Sequence, residues 1–237
     1  MQIDDSVVFV TGANRGLGLA FTQELLARGA RKVYAGVRRP EEVSVPGVVP
    51  IRIDVTDPIS VAAAAAQCTD TTLLINNAGV ARVMESTLES ALIGAALEIF
   101  ETNFYGVIVT TQAFAPILLA NGSGAIVNVL SDASWFSRPM LAAYSASKSA
   151  AWSYTNALRV ELREKGTQVL GLHVGFLDTD MTHGFDMRKS SPDRVASATL
   201  DALEGGLEEV FADEGTQAIK RRLSSEHADY LYPPAIE

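Results

Sequence analysis

The segment that most constrains the fold lies near the N-terminus, where an apolar run, a glycine-rich turn and a helical pattern follow one another. Residues 7–10 are apolar at every position, as in a parallel strand that is covered on both faces. Residues 11–18 then bring three glycines at the spacing G-x-x-x-G-x-G, and Gly29 is placed to end the helix that follows. This order predicts the first unit of a dinucleotide-binding fold, in which a pyrophosphate lies over the helix N-terminus. A glycine turn of this kind also occurs without a ligand, and its spacing differs from the general G-x-G-x-x-G fingerprint.

Six further apolar runs alternate with helical patterns along the rest of the chain. The predicted strands are 32–37, 48–55, 72–75, 125–130, 168–174 and 209–212. Helices are expected from Asp57-Pro58 onward, over about 90–120, around residues 144–165 and from 191 to about 204, with Pro116 kinking or starting a helix. This alternation predicts one α/β domain over residues 1–237, a doubly wound, Rossmann-type and mostly parallel sheet of about seven strands with helices on both faces.

Charge and composition exclude several classes of function. The net charge of −9 argues against nucleic acid or an anionic membrane surface as a partner. Cys68 is the only cysteine, so no disulfide forms within the chain, and the three histidines show no metal-binding spacing. No uninterrupted apolar run reaches the about 18 residues that a membrane-spanning helix needs. We therefore expect a cytoplasmic protein with no metal site and no membrane segment.

Two arginines indicate which cofactor the glycine turn would take. A cofactor with a free ribose 2′-hydroxyl favours an acidic residue at a strand end about 20 residues past the glycines. Arg38 occupies that place, and Arg15 lies inside the glycine turn. Guanidinium groups suit a 2′-phosphate, so the prediction is NADP, the alternative being two solvated arginines. Asp54 and Val55, at the end of the next strand, are placed to meet an adenine ring.

A polar constellation follows the predicted strand 125–130. Tyr144 and Lys148 are four residues apart and share one face of a helix. A neighbouring ammonium favours phenolate, so the pKa of Tyr144 is expected to fall from about 10 toward the working pH. Ser131 begins where the strand ends, at the sheet edge where ligands bind. The tyrosine and lysine alone would more often be a plain surface pair.

Taken together, the motifs resemble the short-chain dehydrogenase/reductase family, in its compact single-domain branch. The resemblance extends from about Val7 to Met181. Its elements stand in the family's order: Thr11-Gly12-x-x-x-Gly16-x-Gly18, Asp54, Asn76-Asn77-Ala78-Gly79, Asn103, Ser131 and Tyr144-x-x-x-Lys148. The family implies an NADP(H)-dependent oxidoreductase that interconverts a carbonyl and an alcohol by hydride transfer. The alternative is an NADP-binding sensor or regulatory protein that has the same fold and no catalysis.

The resemblance also implies a role for each matching residue. Tyr144 would be the general acid or base, Lys148 would lower its pKa and hold ribose hydroxyls, and Ser131 would hydrogen-bond the substrate oxygen. Asn103 would hold a water that links Lys148 to solvent. The implied cofactor contacts are Gly12, Asn14, Arg15, Gly16, Leu17, Gly18, Arg38, Asp54, Val55, Asn77, Ala78, Gly79, Tyr144, Lys148, Gly175, Leu177 and Thr179.

The chain departs from the family pattern at three places. The acidic residue that often precedes the strand leading to Asn-Asn-Ala-Gly is displaced to Asp70, with Thr71-Thr72 nearest the strand. Val174-Gly175 stands where the family usually has Pro-Gly, so Gly175 keeps the turn at the expected nicotinamide contact while the proline is absent. The C-terminus lacks the Asp-Gly-Gly ending that often helps to build tetramers. The expected assembly is a homodimer through the helices around 90–120 and 143–165, or a homotetramer.

Two segments are expected to wall the substrate pocket. Their large apolar residues are Trp135, Phe136, Met140, Phe176, Phe185 and Met187, which favour an apolar or aromatic small-molecule carbonyl or alcohol substrate, unless they belong to the core. Asp132, beside Ser131, either touches substrate or stabilises a turn. Residues 182–190 are expected to form a mobile lid or an ordinary surface loop.

Overall fold

Seven parallel strands form one sheet in the computed structural model, which describes residues 1–233. The strands are β1 (Val7–Thr11), β2 (Lys32–Val37), β3 (Val48–Arg52), β4 (Leu73–Asn76), β5 (Ala125–Val129), β6 (Gln168–His173) and β7 (Glu209–Phe211). Their order in the sheet is β3-β2-β1-β4-β5-β6-β7, and each pair of neighbours is parallel. The predicted doubly wound sheet is confirmed. The strand order reverses between β1 and β4, where such sheets bind ligands. The last four residues of the expected domain 1–237 lie outside the described residues.

Helices cover both faces of the sheet. They are α1 (Gly16–Ala27), α2 (Pro58–Gln67), α3 (Leu92–Phe100), α4 (Gly106–Ala120), α5 (Ala142–Arg163), α6 (Pro192–Glu204) and α7 (Glu214–Arg222). Val8 and Val10 of β1 pack in the core under α1 and α6, whereas Val7 and Phe9 pack in the core under α2, α4 and α5. Alternate residues of one strand therefore fill opposite cores, which explains why residues 7–10 are apolar without interruption.

The structure corrects two predicted boundaries. Strand β3 ends at Arg52, so Asp54 and Val55 lie in the turn that follows instead of in the strand. Pro116 does not start a helix, because α4 continues through it to Ala120, and a kink at this residue stays a prediction. Pro116 and Gln112 are both exposed, so the carbonyl of Gln112, which loses its helical donor, can bind water.

Helices α3 and α4 join end to end through a π-helical turn at Glu101–Tyr105. Among the described residues, 92–120 form one helix that is long and apolar enough to cross a membrane by length and composition. Phe114 and Leu118 of this helix are fully buried against the sheet, but Ile93 and Leu97 are 70% and 63% exposed. The helix therefore belongs to the core on one side and presents apolar side chains to the outside on the other.

A cluster of rings packs the last strand and helix against β6. His173 is stacked on Trp135 with ring centres 4.1 Å apart, and the Lys220 ammonium lies 5.0 Å from the Trp135 ring centre. The Glu209 carboxylate lies 3.4 Å from both His173 Nε2 and Lys220 Nζ. The hydrogen bond from His173 outweighs burial and lowers the pKa of Glu209 to about 2. The expectation that Trp135 walls the substrate pocket is therefore wrong: its ring is buried in this cluster.

Candidate active site

A cleft of about 490 Å³ opens at the carboxyl edge of the sheet, around the reversal between β1 and β4. The structure brings together in it sixteen of the seventeen predicted cofactor residues: Gly12, Asn14, Arg15, Gly16, Leu17, Arg38, Asp54, Val55, Asn77, Ala78, Gly79, Tyr144, Lys148, Gly175, Leu177 and Thr179. The cleft runs from the arginines after β2 to the tyrosine and lysine of α5. Its position and shape suit an extended ligand that crosses the switch point.

Gly18 is the predicted cofactor residue that does not line the cleft. A Cβ atom at Gly18 would lie 2.1 Å from the carbonyl oxygen of Gly12 and 2.6 Å from Asn77 Nδ2. The position therefore requires glycine so that α1 can pack against the turn, and contact with a ligand is not the reason. Gly12 and Gly16 do line the cleft and have φ values of +66° and +53°, which glycine adopts without strain.

The glycine turn is tied to the end of β4 by hydrogen bonds. The Thr11 hydroxyl accepts from the backbone N–H groups of Asn77 and Ala78, at 2.9 and 3.0 Å. The Asn77 side chain donates to the carbonyls of Thr11 and Gly12, at 2.9 and 3.2 Å. Residues 77–79 are thus held against the turn, which keeps one wall of the cleft in place.

Basic side chains surround the β2 end of the cleft. Arg38 and Arg39 both line it, and Arg39 pairs with Glu42 at 2.9 Å. Sequence reasoning missed Arg39 and Glu42 as cleft residues, although the doublet Arg38-Arg39 was visible. Burial raises the pKa of Asp54, but hydrogen bonds from Thr56 and the charge of Arg38 outweigh it and lower that pKa overall. The guanidiniums of Arg15, Arg38 and Arg39 near one end of a glycine cradle fit a cofactor with a 2′-phosphate.

Arg15 connects the two sides of the cleft. Its guanidinium lies 3.3 Å from the carboxylate of Asp180, which belongs to the segment after β6. A Cβ atom at Gly16 would lie 3.2 Å from Thr179 Cγ2, so the two segments also touch beside this pair. Asp180 was not predicted as a cleft residue, because nothing in the sequence shows that residues 15 and 180 meet.

The predicted catalytic residues converge at the other end of the cleft. Tyr144 lies in the first turn of α5, Lys148 one turn later, and Ser131 two residues after the end of β5. The Lys148 ammonium donates to the carbonyl of Val129 at 2.8 Å and lies 5.9 Å from the Tyr144 ring centre. Tyr144 also lines a second, smaller cavity that adjoins this end, and Ser131 lines that cavity without lining the cleft.

Burial controls the acidity of both groups. It raises the pKa of Tyr144 to about 12, although a hydrogen bond with Ser131 acts in the opposite direction. Burial lowers the pKa of Lys148 to about 8. The expectation that the pKa of Tyr144 falls is thus wrong for the protein itself, because the removal of the phenolate from water outweighs the hydrogen bond with Ser131.

Asn103 lies in the π-helical turn and faces the same region without lining the cleft. Its side chain accepts from the backbone N–H of Val80 at 2.8 Å and donates to the Val80 carbonyl at 2.9 Å. It also donates to the Ser147 hydroxyl at 3.1 Å. A Cβ atom at Gly79 would lie 3.4 Å from Asn103 Oδ1 and 3.8 Å from Lys148 Nζ. Asn103 therefore fastens the segment after β4 to α5 beside Lys148, and the water that it would hold stays a prediction.

The smaller cavity has a volume of about 60 Å³ and mostly apolar walls. Its lining residues are Ala81, Ser131, Asp132, Ala133, Phe136, Arg138, Leu141, Tyr144, Ser145, Gly175, Phe176, Met181, Thr182 and Phe185. Phe136, Phe176 and Phe185 line this cavity, as the sequence predicts. Met140 and Met187 do not line it, and Met181 supplies the methionine instead.

The expected lid is part of a loop that is closed at its base. Leu177 and Ser190 form an isolated β-bridge, supported by hydrogen bonds from Asp178 N to the Ser190 carbonyl and from Ser190 N to the Phe176 carbonyl. Phe185 in the loop packs on Phe176 with ring centres 5.1 Å apart. The loop places an apolar cover over the small cavity.

Among residues 1–233, the structure has no group of three or more His, Cys, Asp or Glu side chains that could hold a metal ion. Cys68 is buried, and burial raises the pKa of its thiol to about 12, which makes it a poor nucleophile.

Comparisons with known proteins agree with this geometry. The family model described as short chain dehydrogenase matches residues 6–189. The chain is 33% identical over 196 residues to dehydrogenase/reductase SDR family member 7B of Mus musculus, covering 75% of this chain and 59% of that protein. It is 33% identical over 192 residues to galactitol 2-dehydrogenase (L-tagatose-forming) of Cereibacter sphaeroides, covering 76% and 75%. The match to the mouse protein thus spans less than two thirds of that relative's length.

Solved structures share the fold along the whole chain. A short chain dehydrogenase from Burkholderia cenocepacia in complex with NADP superimposes with a TM-score of 0.92 at 43% identity, covering 98% of this chain and 100% of that one. A short chain dehydrogenase/reductase from Burkholderia phymatum in complex with NAD gives a TM-score of 0.83 at 24% identity, covering 100% and 98%. The second likeness is evidence of the fold alone.

Replacement of Lys148 by methionine should stabilise the protein at neutral pH. Burial lowers the lysine pKa from 10.5 to about 8, so the unfolded chain binds the proton more tightly. The resulting penalty is complete below about pH 8 and fades as the pH rises toward 10.5. We expect Lys148→Met to raise the free energy of unfolding by about 1–2 kcal/mol at pH 7 and by less at pH 10.

Urea unfolding at the two pH values measures this difference. Lys165→Met, at an exposed position in the turn after α5, is the control and should change stability by less than about 0.5 kcal/mol. A loss of stability at pH 7 in Lys148→Met, or an equal gain at both pH values, would contradict the conclusion that burial lowers the pKa of Lys148.

Proposed function

The chain belongs to the short-chain dehydrogenase/reductase family, and from that premise we propose that it is an NADP(H)-dependent oxidoreductase interconverting a ketone or aldehyde and an alcohol. The observation that carries this proposal is that Tyr144 and Lys148 line one end of a cleft that has a glycine turn and arginines at the other, while Ser131 lines the adjoining cavity together with Tyr144. We take residues 1–237 as a single NADP-binding domain. No observation favours the alternative of a non-catalytic sensor, which would not need a tyrosine and a serine directed at one cavity.

The residues that would hold the cofactor follow from the walls of the cleft. Gly12 and Gly16 would allow the pyrophosphate to approach the N-terminus of α1. Arg38, with Arg15 and Arg39, would surround the 2′-phosphate, and residues 77–79 would contact the adenosine ribose. When bound, the cofactor supplies or accepts the hydride. The NADP in the structure from Burkholderia cenocepacia supports the choice of cofactor.

Tyr144 would transfer the proton to or from the substrate oxygen. With a pKa raised to about 12, its phenol carries a proton at neutral pH and can donate it to a carbonyl oxygen during reduction. The Ser131 hydroxyl would bond the same oxygen and orient it. In the oxidation direction Tyr144 must accept a proton, and the nearby Lys148 ammonium favours the phenolate that does so. Asn103 would hold the water that returns protons to Lys148.

The substrate is a small molecule with an apolar or aromatic part. Phe136, Phe176 and Phe185 would receive that part, while Ser131 and Tyr144 bind the oxygen. The walls are formed in part by the loop between Leu177 and Ser190, so the loop would have to move for substrate to enter. A cytoplasmic location and the absence of nucleic-acid partners stay predictions.

We propose that two copies of the chain associate through α3, α4 and α5. Ile93 and Leu97 of α3 and Val160 of α5 are large apolar side chains that stay exposed. A second copy would cover them and would also account for the apolar outer side of residues 92–120. A homodimer is the simplest assembly, and a homotetramer would add a further interface.

Tyr144→Phe tests the proton-transfer role. Without the hydroxyl, kcat for carbonyl reduction should fall at least about 100-fold, while the Kd of NADPH changes less than about threefold. Tyr230→Phe, at an exposed tyrosine, is the control and should behave as wild type. The assays are NADPH consumption and cofactor fluorescence titration. Activity above a tenth of the wild-type value would rule out Tyr144 as the acid.

Arg38→Ala tests the cofactor choice. Loss of charge-assisted bonds to a 2′-phosphate should raise the Kd of NADPH by about 10- to 100-fold, with less than about threefold change for NADH. Arg31→Ala, at the opposite edge of the sheet, should leave both values unchanged. Fluorescence titration measures both. Equal weakening of NADH and NADPH binding would show that Arg38 does not bind the 2′-phosphate.

Leu97→Glu tests the interface. A carboxylate in the buried part of a dimer should convert it to monomers, because a buried unpaired charge is costly. Ile59→Glu, on the exposed side of α2, should keep the wild-type mass. Size-exclusion chromatography with light scattering gives the mass. A monomeric wild-type protein, or a dimer that survives the change, would contradict this assembly.

A further inference from the structure

Glu42 lies in the short turn Pro40–Glu42 and lines the β2 end of the cleft. Its Oε1 lies 2.9 Å from Arg39 Nη2, and its Oε2 accepts from the Asn14 side-chain amide at 3.3 Å. Arg39 follows β2, whereas Asn14 belongs to the glycine turn after the neighbouring strand β1. The Glu42 carboxylate therefore bridges two segments that both line the part of the cleft proposed to receive a 2′-phosphate.

The turn itself does not depend on this carboxylate. Backbone hydrogen bonds close it, from Glu42 N to the Arg39 carbonyl and from Val43 N to the Pro40 carbonyl, each at 3.1 Å. The side chains of Glu42 and Arg39 are 36% and 69% exposed. An ion pair that is so accessible to water contributes little to stability. The fold therefore gives no strong reason for a carboxylate at this position.

The side-chain charges along this end of the cleft cancel. Three arginines and three acidic residues line it: Arg15, Arg38, Arg39, Glu42, Asp54 and Asp180. Arg15 is paired with Asp180 at 3.3 Å, so two of the three guanidiniums already contact a carboxylate. A 2′-phosphate carries a charge of about −1.5 to −2 at neutral pH. It would therefore enter a site in which part of the positive charge is already neutralised.

We propose that Glu42 determines cofactor specificity by competing with the 2′-phosphate of NADP(H) for Arg39 and Asn14. This rests on the proposed function, in which this end of the cleft holds that phosphate. Binding of NADPH requires the Glu42 carboxylate to release its donors and leaves it close to a second anion, which repels it. NADH has a hydroxyl group in place of the phosphate and leaves both contacts intact. Glu42 thus lowers the selectivity of the cleft for NADPH over NADH.

Glu42→Gln removes the charge and keeps the shape of the side chain. The glutamine oxygen still accepts a hydrogen bond, but it holds a guanidinium more weakly than a carboxylate does and does not repel a phosphate. Glu41→Gln is the matched control, because Glu41 is exposed in the same turn and does not line the cleft. Both variants change the net charge equally, so a difference between them reports the contacts of Glu42.

The probes are 2′,5′-ADP and 5′-AMP, which differ only in the 2′-phosphate, and isothermal titration calorimetry measures their binding. We expect Glu42→Gln to lower the Kd of 2′,5′-ADP at least about fivefold and to change that of 5′-AMP less than about twofold. The ratio of the Kd of NADH to the Kd of NADPH, from fluorescence titration, should rise by a similar factor. In Glu41→Gln all four constants should stay within about twofold of the wild-type values.

Unchanged or weaker binding of 2′,5′-ADP by Glu42→Gln overturns this inference, because the carboxylate would then hold Arg39 in place for the phosphate. An equal gain for 5′-AMP, or an equal gain in Glu41→Gln, also overturns it, since the effect would then come from net charge alone. These results leave the proposed function intact, because the titrations need no turnover. A wild-type protein that binds neither NADPH nor 2′,5′-ADP overturns the proposed function and this inference with it.

Discussion

The whole site depends on how closely the glycine turn approaches the end of β4. The missing side chain of Gly18 lets α1 pack against the carbonyl of Gly12, where a Cβ atom would be only 2.1 Å away. Thr11 and Asn77 then fasten the turn to residues 77 and 78 by hydrogen bonds. These contacts place the cleft at the strand reversal. The residues that later elements contribute line the same carboxyl edge of the sheet.

Burial explains much of the chemistry at the other end of the cleft. Tyr144 and Lys148 are both removed from water, and this keeps the phenol protonated while making the ammonium easier to deprotonate. A buried ammonium bonded to a single backbone carbonyl is a cost to folding that a purely structural site would not need. Buried ionisable groups with shifted pKa values are found preferentially at functional sites, where residues that are needed for activity lower the stability of the fold.

Local patterns predicted the parts of the molecule that depend on neighbours in the sequence. Residues 7–10 and 73–75 are continuous apolar runs, and residues 125–129 are apolar except at Asn128, because both faces of these strands are covered; they were recognised as strands for that reason. The glycine turn, the arginine at the end of β2 and the pair Tyr144-x-x-x-Lys148 were visible in the same way. Asn103 was predicted only from the resemblance to a family, because no local sequence pattern indicates that it lies in a π-helical turn.

The errors concern contacts between distant segments. Trp135 packs on His173 instead of facing substrate, and only the fold brings them together. Asp180 meets Arg15 across the cleft, although the two are far apart in the chain. The direction of the Tyr144 pKa was wrong because a sequence shows the charge of Lys148 but does not show how deeply the phenol is buried.

The central claim is that a hydride passes between a nicotinamide and a carbonyl carbon in this cleft. The most direct measurement uses NADPH that carries deuterium at C4 of the nicotinamide, with mass spectrometry of the alcohol formed from a ketone. We expect one deuterium on the carbinol carbon, from one face of the nicotinamide only. Alcohol formed without deuterium from either labelled face, or labelled NADPH that binds and is never consumed by any carbonyl, would contradict it.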